Sequence, residues 1–178
     1  MTSPTTFPAY RHHYGIYRLT EADREAFHAH MLSLDKDARR LRFGAALPDD
    51  TLLSLVARMP LEDGSFGLFM WGELKGCVLM LPYGKPGHVE LAVSLSPDMR
   101  GRGWGTILVA AALERAGDRH QSHVEIMYLR GNQAMHRIAC RLPGKSESCA
   151  QEVHKFVPLA DVDFDTSSHP ALVLTAHV

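Results

Sequence analysis

The sequence has little that would indicate a disulfide-stabilised or nucleic-acid-binding protein. Only three of its 178 residues are cysteines, Cys77, Cys140 and Cys149, and no two of them form a CxxC pair. Because any disulfide scheme leaves one of them unpaired, we expect a reduced, cytoplasmic setting. The formal net charge is -1, which provides no broad attraction to nucleic acids or anionic membranes. We therefore expect neither as a partner.

Long hydrophobic runs are also lacking. No apolar stretch approaches the roughly 20 residues that span a bilayer, and the N-terminus has neither the basic start nor the apolar middle of a secretory signal. The length suits one domain with a buried core. We predict a proline- and threonine-rich extended arm over residues 1–15 and a single domain over residues 16–178.

The eleven histidines are not spaced as metal ligands. His28 and His30 are two residues apart and His120 and His123 three apart, and neither pair lies in an HExxH motif or near a cysteine cluster. Structural zinc sites need four such ligands and catalytic sites three. We expect scattered surface histidines and no metal.

The hydrophobic pattern predicts a helical N-terminal part. A short strand in "YGIYRLT" precedes a helix capped by Thr20, and a second helix follows in "DKDARRLRF", whose arginines should form a solvated face. A third helix, in "LPDDTLLSLVARM", should be capped by Asp49 or Asp50. Residues 62–87 then predict a hairpin with its turn at Gly72 to Gly76.

The remaining pattern alternates between strands and helices. We predict a helix from Trp104 that ends at Gly117, a strand in "HVEIMYL", and a helix capped by Asn132. Two closing strands are expected over residues 146–159 and 169–178. This order favours an α/β fold, a mixed sheet with helices on both faces.

The clearest strand is "VELAVSL", residues 89–95. Its odd positions are all apolar, and its even positions are Glu90, Ala92 and Ser94. Because successive side chains of a strand point to opposite faces, one face should pack in the core. The other face should be small and polar, with the single carboxylate of Glu90 looking into a cleft.

The loop after this strand, "RGRGWG" at residues 100–105, predicts a phosphate seat. The first N–H groups of a helix lack intrahelical partners, and the helix dipole makes that end partly positive. Glycines allow a close backbone approach, and Arg100 and Arg102 add charge. The alternative is an ordinary turn with solvated arginines, because glycine motifs produce many false matches.

Two common phosphate motifs do not fit this loop. A P-loop requires a Gly-Lys-Ser/Thr sequence, which the chain lacks. A GxGxxG dinucleotide fingerprint from Gly101 and Gly103 would need a third glycine where Thr106 stands. It would also turn directly out of its strand, whereas "SPDMR" intervenes here.

The spacing Arg100-x-x-Gly103-x-Gly105 resembles the pyrophosphate-binding signature of the GNAT superfamily, the coenzyme A-dependent N-acyltransferases. The resemblance extends over residues 66–144: "HVELAVSLSPDMRGRGWGTILVAAALERA" is similar to the family's central strand, loop and helix, and "NQAMHRIACRL" to its second motif. The segment "LSLDKDARRLRFG" is similar to the acetyltransferase domains of bacterial protein-lysine acetyltransferases. The fold implied is a mostly antiparallel sheet with a splayed central parallel pair.

The resemblance implies where acetyl-CoA binds. Pantetheine would meet the strand backbone at Val93, Ser94 and Leu95, and Asn132 would lie near its arm. The pyrophosphate would meet the loop and the first helical turn. The loop residues are Arg100, Gly101, Arg102, Gly103, Trp104, Gly105 and Thr106, of which Trp104 is expected mainly to pack the helix.

The resemblance also implies the chemistry, which is direct attack of an amine on the thioester. Glu90 is our candidate general base, and its alternative role is an ordinary exposed glutamate; Glu125 is the fallback. Many relatives protonate the leaving thiolate with a tyrosine seven residues after the asparagine, where this chain has Ala139. Cys140, next to it, is expected to be a small buried hydrophobic residue.

We therefore predict an enzyme, an N-acetyltransferase that uses acetyl-CoA and a primary amine, either a protein lysine or a small molecule. The alternatives are a non-catalytic acyl-CoA sensor or scaffold and an unrelated phosphate-binding α/β domain. The sequence leaves a homodimer open and does not identify the acceptor.

Overall fold

The computed structural model describes residues 14–61 and 64–162. Almost all of the predicted arm and the whole of the closing strand at 169–178 lie outside these residues. The strands are β1 (Gly15–Arg18), β2 (Phe66–Met70), β3 (Glu73–Pro82), β4 (His88–Leu95), β5 (His123–Leu129), β6 (Lys145–Cys149) and β7 (Glu152–Pro158). The helices are α1 (Arg24–Ser33), α2 (Lys36–Phe43), α3 (Asp49–Val56), α4 (Trp104–Asp118) and α5 (Gln133–Ala139).

The seven strands form one sheet in the order β1-β2-β3-β4-β5-β7-β6. Every neighbouring pair is antiparallel except β4 with β5, which is parallel. Helices α1, α2 and α3 cover one face, and α4 and α5 cover the other. The predicted mixed, mostly antiparallel sheet with helices on both faces is confirmed.

Each face of the sheet has its own hydrophobic core. The larger core packs the sheet against α4 and α5 and includes Leu91, Leu108 and Ile126. The second core lies beneath α1 and α3 and includes Phe27 and Leu52. Strand β4 contributes to both cores because its odd and even side chains point to opposite faces. No helix in the described part of the chain is long and apolar enough to cross a membrane.

The parallel pair β4–β5 separates after only three residue pairs. His88 pairs with His123, Val89 with Val124, and Glu90 with Glu125. Beyond this point β4 continues to Leu95 and β5 to Leu129 without pairing to each other. The predicted splay of the central pair is confirmed, and it opens a cleft between the two strands.

Several predicted details of the N-terminal half are wrong. Thr20 is an N-cap as predicted, with a capping box to Asp23, but it caps a short 3-10 turn at 21–23 that leads into α1 and not α1 itself. Pro48, not Asp49 or Asp50, is the N-cap of α3, and Asp49 instead accepts a hydrogen bond from Arg39 at 2.6 Å. The β2–β3 turn is the dipeptide Trp71-Gly72, both at positive φ, so residues 73–76 belong to β3. The pairing of β2 with β3 thus reaches Glu73, inside the stretch from Gly72 to Gly76 that was predicted to be the turn.

Two predicted boundaries of the C-terminal half also change. Helix α4 passes through Gly117 and ends at Asp118, and the left-handed residue after it is His120, with φ 55°. The stretch at 146–159 is a hairpin of two strands, β6 and β7, because the chain turns at Ala150, with φ 43°. The strand β5 has the predicted bounds.

Candidate functional site

The cleft between β4 and β5 contains two adjoining cavities. The first, of about 440 Å³, extends from the glycine loop along β4 between α2 and α5. The second, of about 270 Å³, continues toward Glu90 and the point where the strands begin to pair. The shared lining residues are Leu41, Arg42, Val93, Asn132 and Met135. The splay thus connects the loop to the carboxylate predicted as the base.

The glycine loop has the backbone that its sequence requires. Gly101 and Gly103 have φ of 73° and 86°, and a Cβ added at either would meet no atom within 4 Å. Gly103 is the N-cap of α4, so the free N–H groups of the first turn lie beside this open space. Gly105 differs, because its Cβ would come within 3.3 Å of Ile138 on α5. The loop therefore combines an open, partly positive seat with a closely packed helix start.

Two other loop residues have structural partners. Trp104 is partly buried against the core, with its ring edge-to-face with Tyr14 at 5.1 Å, which fits the expected packing role. Arg100 donates to Asp35 Oδ2 at 2.9 Å and to the Leu95 carbonyl at 3.3 Å. Because Asp35 also caps α2 through the Ala38 N–H, Arg100 holds the loop against that helix.

Further arginines line the cleft, and the sequence reasoning missed them. Arg137 on α5 and Arg141, four residues later and just beyond the helix, line the first cavity together with Arg100. Their spacing of four residues, which places both on the polar side of the predicted helix, was the feature of the sequence that could have indicated them. Arg102, which we predicted to contact the cofactor, is exposed and does not line this cavity.

The register of β3 and β4 determines which backbone groups face the cleft. Ser96 N–H donates to the Lys75 carbonyl on β3 at 2.8 Å. Since backbone groups alternate in direction along a strand, those of Ser94 also face β3, whereas those of Val93 and Leu95 face the open side. Two of the three predicted backbone contacts thus point into the cleft. Ser94 still lines it.

The even face of β4 is not the open polar face that we predicted. The Ser94 side chain is buried, bonded to His30 Nε2 on α1 at 2.9 Å and to Cys77 Sγ at 3.3 Å. Ser96 Oγ lies 3.4 Å from the other ring nitrogen of His30. Burial lowers the pKa of His30 to about 4 and raises that of Cys77 to about 11. His30 is therefore a buried structural histidine, contrary to the expected surface position.

Glu90 lies where the two strands begin to separate, half-buried at the inner end of the second cavity. Burial raises the pKa of its carboxyl; the guanidinium of Arg42 opposes that shift, and the Glu125 carboxylate adds to it. A carboxylate with a raised pKa in a cleft is a candidate base. The predicted orientation of Glu90 toward the cleft fits this position.

Arg42, on α2, faces Glu90 from above the sheet. Its Nε and Nη2 atoms are buried and have no hydrogen-bond partner among the described residues. Burial also lowers the pKa of its guanidinium. The expected solvated arginine face is thus wrong for Arg42. It is also wrong for Arg39, which is bonded to Asp49 and to backbone carbonyls.

Glu125, the fallback base, is more deeply buried than Glu90 and already has a partner. Its Oε1 lies 2.6 Å from Nδ1 of His154 on β7. The other nitrogen of His154 is 3.8 Å from Glu152, which is exposed. The sequence did not indicate this contact, because β7 follows β5 only after α5 and β6.

Asn132 is the N-cap of α5, as expected. Its Oδ1 accepts from Met135 N–H at 3.0 Å, and the residue also lines both cavities. Tyr128 lines the second cavity, and its hydroxyl lies 3.1 Å from His136 Nδ1. Cys140 is exposed, 3.5 Å from His136, which corrects the expected burial.

Within the described residues, no group of three or more histidine, cysteine, aspartate or glutamate side chains could hold a metal ion. The cleft offers arginines, helix N–H groups and strand backbone instead. These groups suit a phosphorylated, amide-containing ligand such as coenzyme A.

Comparisons with known proteins agree with this geometry. The sequence model of the acetyltransferase (GNAT) family matches residues 54–142, half of the chain. The GNAT domain of S. lividans PAT has the same fold, with a TM-score of 0.69 and 16% identity over 86% of this chain and 99% of that one. No curated protein sequence matches.

Two further solved structures share the fold. The ribosomal-protein-S18-alanine N-acetyltransferase from Escherichia coli has a TM-score of 0.62 and 12% identity over 85% of this chain and 97% of that one. YncA from Salmonella typhimurium, solved with its cofactor acetyl-CoA, has a TM-score of 0.57 and 15% identity over 89% of this chain and 98% of that one. The fold, the glycine loop and the family match together show that the chain belongs to the GNAT acetyltransferase family, the acyl-CoA-dependent N-acyltransferases.

Proposed function

We propose that the protein transfers the acetyl group of acetyl-CoA to a primary amine, either a protein lysine or the amine of a small molecule. The observation that supports this most is the course of the cleft. It runs from the glycine loop to Glu90 and ends where β4 and β5 begin to pair. A cofactor seat and a candidate base therefore lie at the two ends of one opening. The free cysteines favour a cytoplasmic setting.

The lining residues fit coenzyme A. The open space at Gly101 and Gly103 and the N-terminus of α4 would seat the pyrophosphate. Arg137 and Arg141 would add positive charge beside its phosphates. The backbone of Val93 and Leu95 would pair with the pantetheine amides, and Asn132 would lie near the same arm.

Glu90 would act as the general base. A lysine-like amine with a pKa of about 10.4 is neutral in only roughly one molecule in a few thousand at pH 7, so removing its proton is part of the barrier. Glu90 would take that proton directly or through water. Acetyl-CoA supplies the acetyl thioester that the neutral amine attacks, and strand N–H groups at Val93 and Leu95 would orient its carbonyl.

One observation favours a second candidate, a non-catalytic acyl-CoA sensor. Ala139 stands where many relatives have the tyrosine that protonates the leaving thiolate. The thiol of coenzyme A is acidic enough to leave without this acid, so its absence slows transfer without excluding it. Turnover separates the two candidates.

The experiment measures thiol release from acetyl-CoA over a panel of amines. The panel contains a lysine peptide, a peptide with an N-terminal alanine, and small polyamines, because the sequence resembles protein-lysine acetyltransferases and one structural relative acts on an alanine N-terminus. We expect amine-dependent release with at least one class. Calorimetric binding of acetyl-CoA without release by any amine would support the sensor, and no binding would contradict both.

A further inference from the structure

Two carboxylates meet at the inner end of the cleft. Glu90 and Glu125 are the last register pair of β4 and β5, so their side chains lie on the same face, one strand spacing of about 4.8 Å apart. The Glu125 side chain is only 7% exposed. The Glu125 carboxylate is one of the groups that raise the pKa of the Glu90 carboxyl, because two like charges on neighbouring strands oppose each other's ionisation.

His154 is hydrogen-bonded to one of these two carboxylates, Glu125. On β7 it lies diagonally from Glu125, and its Nδ1 is 2.6 Å from Glu125 Oε1. Its Nε2 is 3.8 Å from Glu152, whose side chain is 46% exposed, so the ring connects the buried carboxylate to the surface. Glu147 on β6 is opposite His154 in the strand register.

The other charged group that faces the pair comes from α2. Arg42 lowers the pKa of Glu90, and its Nε and Nη2 are buried above the sheet without a hydrogen-bond partner among the described residues. His154 acts on Glu90 in the same direction more weakly, but its hydrogen bond is to Glu125. The site is arranged so that Glu125 is held by a short bond while Glu90 stays free to meet a ligand in the cavity.

We propose that His154 is a positioning residue of the acetyl-transfer site, which binds the Glu125 carboxylate and so leaves Glu90 as the carboxylate that accepts the proton of the acceptor amine. This inference rests on the proposed function. In the step concerned, an N–H bond of the ammonium breaks, its electron pair stays on nitrogen, and an O–H bond forms on Glu90. The proton later leaves to solvent.

Loss of His154 would change the titration of Glu90. The variant would lose the hydrogen bond that holds the Glu125 carboxylate and the lowering effect of His154 on Glu90, while the raising effect of Glu125 would remain, so Glu90 would be protonated at a higher pH than before. A protonated Glu90 cannot act as base, and the acid limb of kcat/KM would move to higher pH, while kcat at high pH would be preserved.

The experiment compares wild type, His154→Leu and His154→Gln by ¹³C titration of the Glu90 carboxyl, which does not require turnover. In His154→Leu we expect the pKa of Glu90 to rise by about one unit. His154→Gln keeps a hydrogen-bond donor to Glu125, so the pKa of Glu90 should rise less in this variant. The glutamine variant also provides the test if the leucine variant does not fold. The acid limb of kcat/KM should move by the same amount, with acetyl-CoA affinity unchanged.

The double variant Glu125→Gln/His154→Leu tests the route of the effect. Since it removes the competing charge, it should return the Glu90 titration to its wild-type position. An unmoved Glu90 titration in both folded single variants, or a shift that Glu125→Gln does not reverse, would overturn the inference. Two other results would contradict the proposed function itself and not this inference. They are the absence of turnover with every amine of the panel and an unchanged rate in the Glu90→Gln variant.

Discussion

The two ends of the cleft are built in different ways. At the cofactor end the proposed pyrophosphate seat comes from one continuous segment, β4 through the first turn of α4, which presents mainly backbone groups; side chains from α2 and from the α5 region line the cavity beside it. The inner end combines side chains from four separate elements: Glu90 on β4, Glu125 on β5, His154 on β7 and Arg42 on α2. The first end therefore depends on glycines and backbone geometry, and the second on the balance of buried charges.

This difference has consequences for substitution. A backbone site tolerates changes of side chain except where volume enters the seat or a positive φ is required. A site of coupled charges responds to the loss of any member, because each carboxylate depends on its partner. Cofactor affinity and the pH dependence of transfer should therefore separate in variants of the two ends.

The largest expected effect is at the cofactor end, in Gly103→Trp. The new side chain would fill the open seat and remove two or three charge-assisted hydrogen bonds to phosphate, at a cost of about 4 kcal/mol or about 1,000-fold in affinity for acetyl-CoA. Gly72→Trp is the matched control, because Gly72 also has positive φ and open space but lies at the β2–β3 turn. Calorimetry measures the affinity of both variants for acetyl-CoA. Equal losses of affinity would show that backbone strain is the cause.

The next largest effect is on the stability of the fold at low pH, and it depends on a histidine buried beneath β4. His30, bonded to Ser94, has a folded pKa of about 4 against 6.5 for the unfolded chain. Between these values the unfolded state binds more protons. The stability due to neutral His30 is therefore complete above pH 6.5 and is lost as pH falls to 4, by about 3 kcal/mol.

Urea unfolding of wild type and His30→Gln at pH 7, 6, 5 and 4 measures this loss. The variant lacks the titrating group, so its stability should fall less steeply over the same range. Other carboxylates titrate equally in both proteins and cancel in the difference. Parallel pH dependence of the two proteins would show that His30 does not contribute.

The smallest effect compares two arginines. Arg141→Gln should raise the Kd of acetyl-CoA about fivefold, because an exposed charge beside a phosphate contributes up to about 1 kcal/mol. Arg102→Gln should have less effect, since Arg102, which is also exposed, does not line the cleft. The Kd of acetyl-CoA is measured for both variants at low and moderate salt. A larger loss of affinity in the Arg102 variant would support the sequence-based prediction that Arg102 contacts the cofactor.

The same contrast explains how much the sequence could predict. The loop, the splayed pair and the candidate Glu90 follow from a contiguous motif whose spacing survives in the chain. The Glu125–His154 contact could not be predicted, because it depends on the β5–β7 register across an intervening helix and strand. Burial of Ser94 and His30 was missed for a similar reason. Alternation along β4 separates its two faces but does not tell which helix covers each one.

Two of the wrong predictions show the limits of rules that use only the local sequence. A glycine predicted the end of α4, yet the helix continues through Gly117 and the left-handed turn falls on His120. Cys140 was expected to be buried because it follows apolar positions of α5, but it lies on the exposed side beside His136. In both cases tertiary packing decided among local conformations that the sequence allows.

The most direct test of the account is the pH dependence of thiol release for Glu90→Gln, with Glu114→Gln on α4 as the control. Acetyl-CoA affinity is measured in parallel by calorimetry. If Glu90 is the base at the inner end of the cleft, its variant should lose about 1,000-fold in kcat, lose the acid limb, and bind acetyl-CoA as tightly as wild type. A rate equal to wild type across the pH range would contradict the central claim.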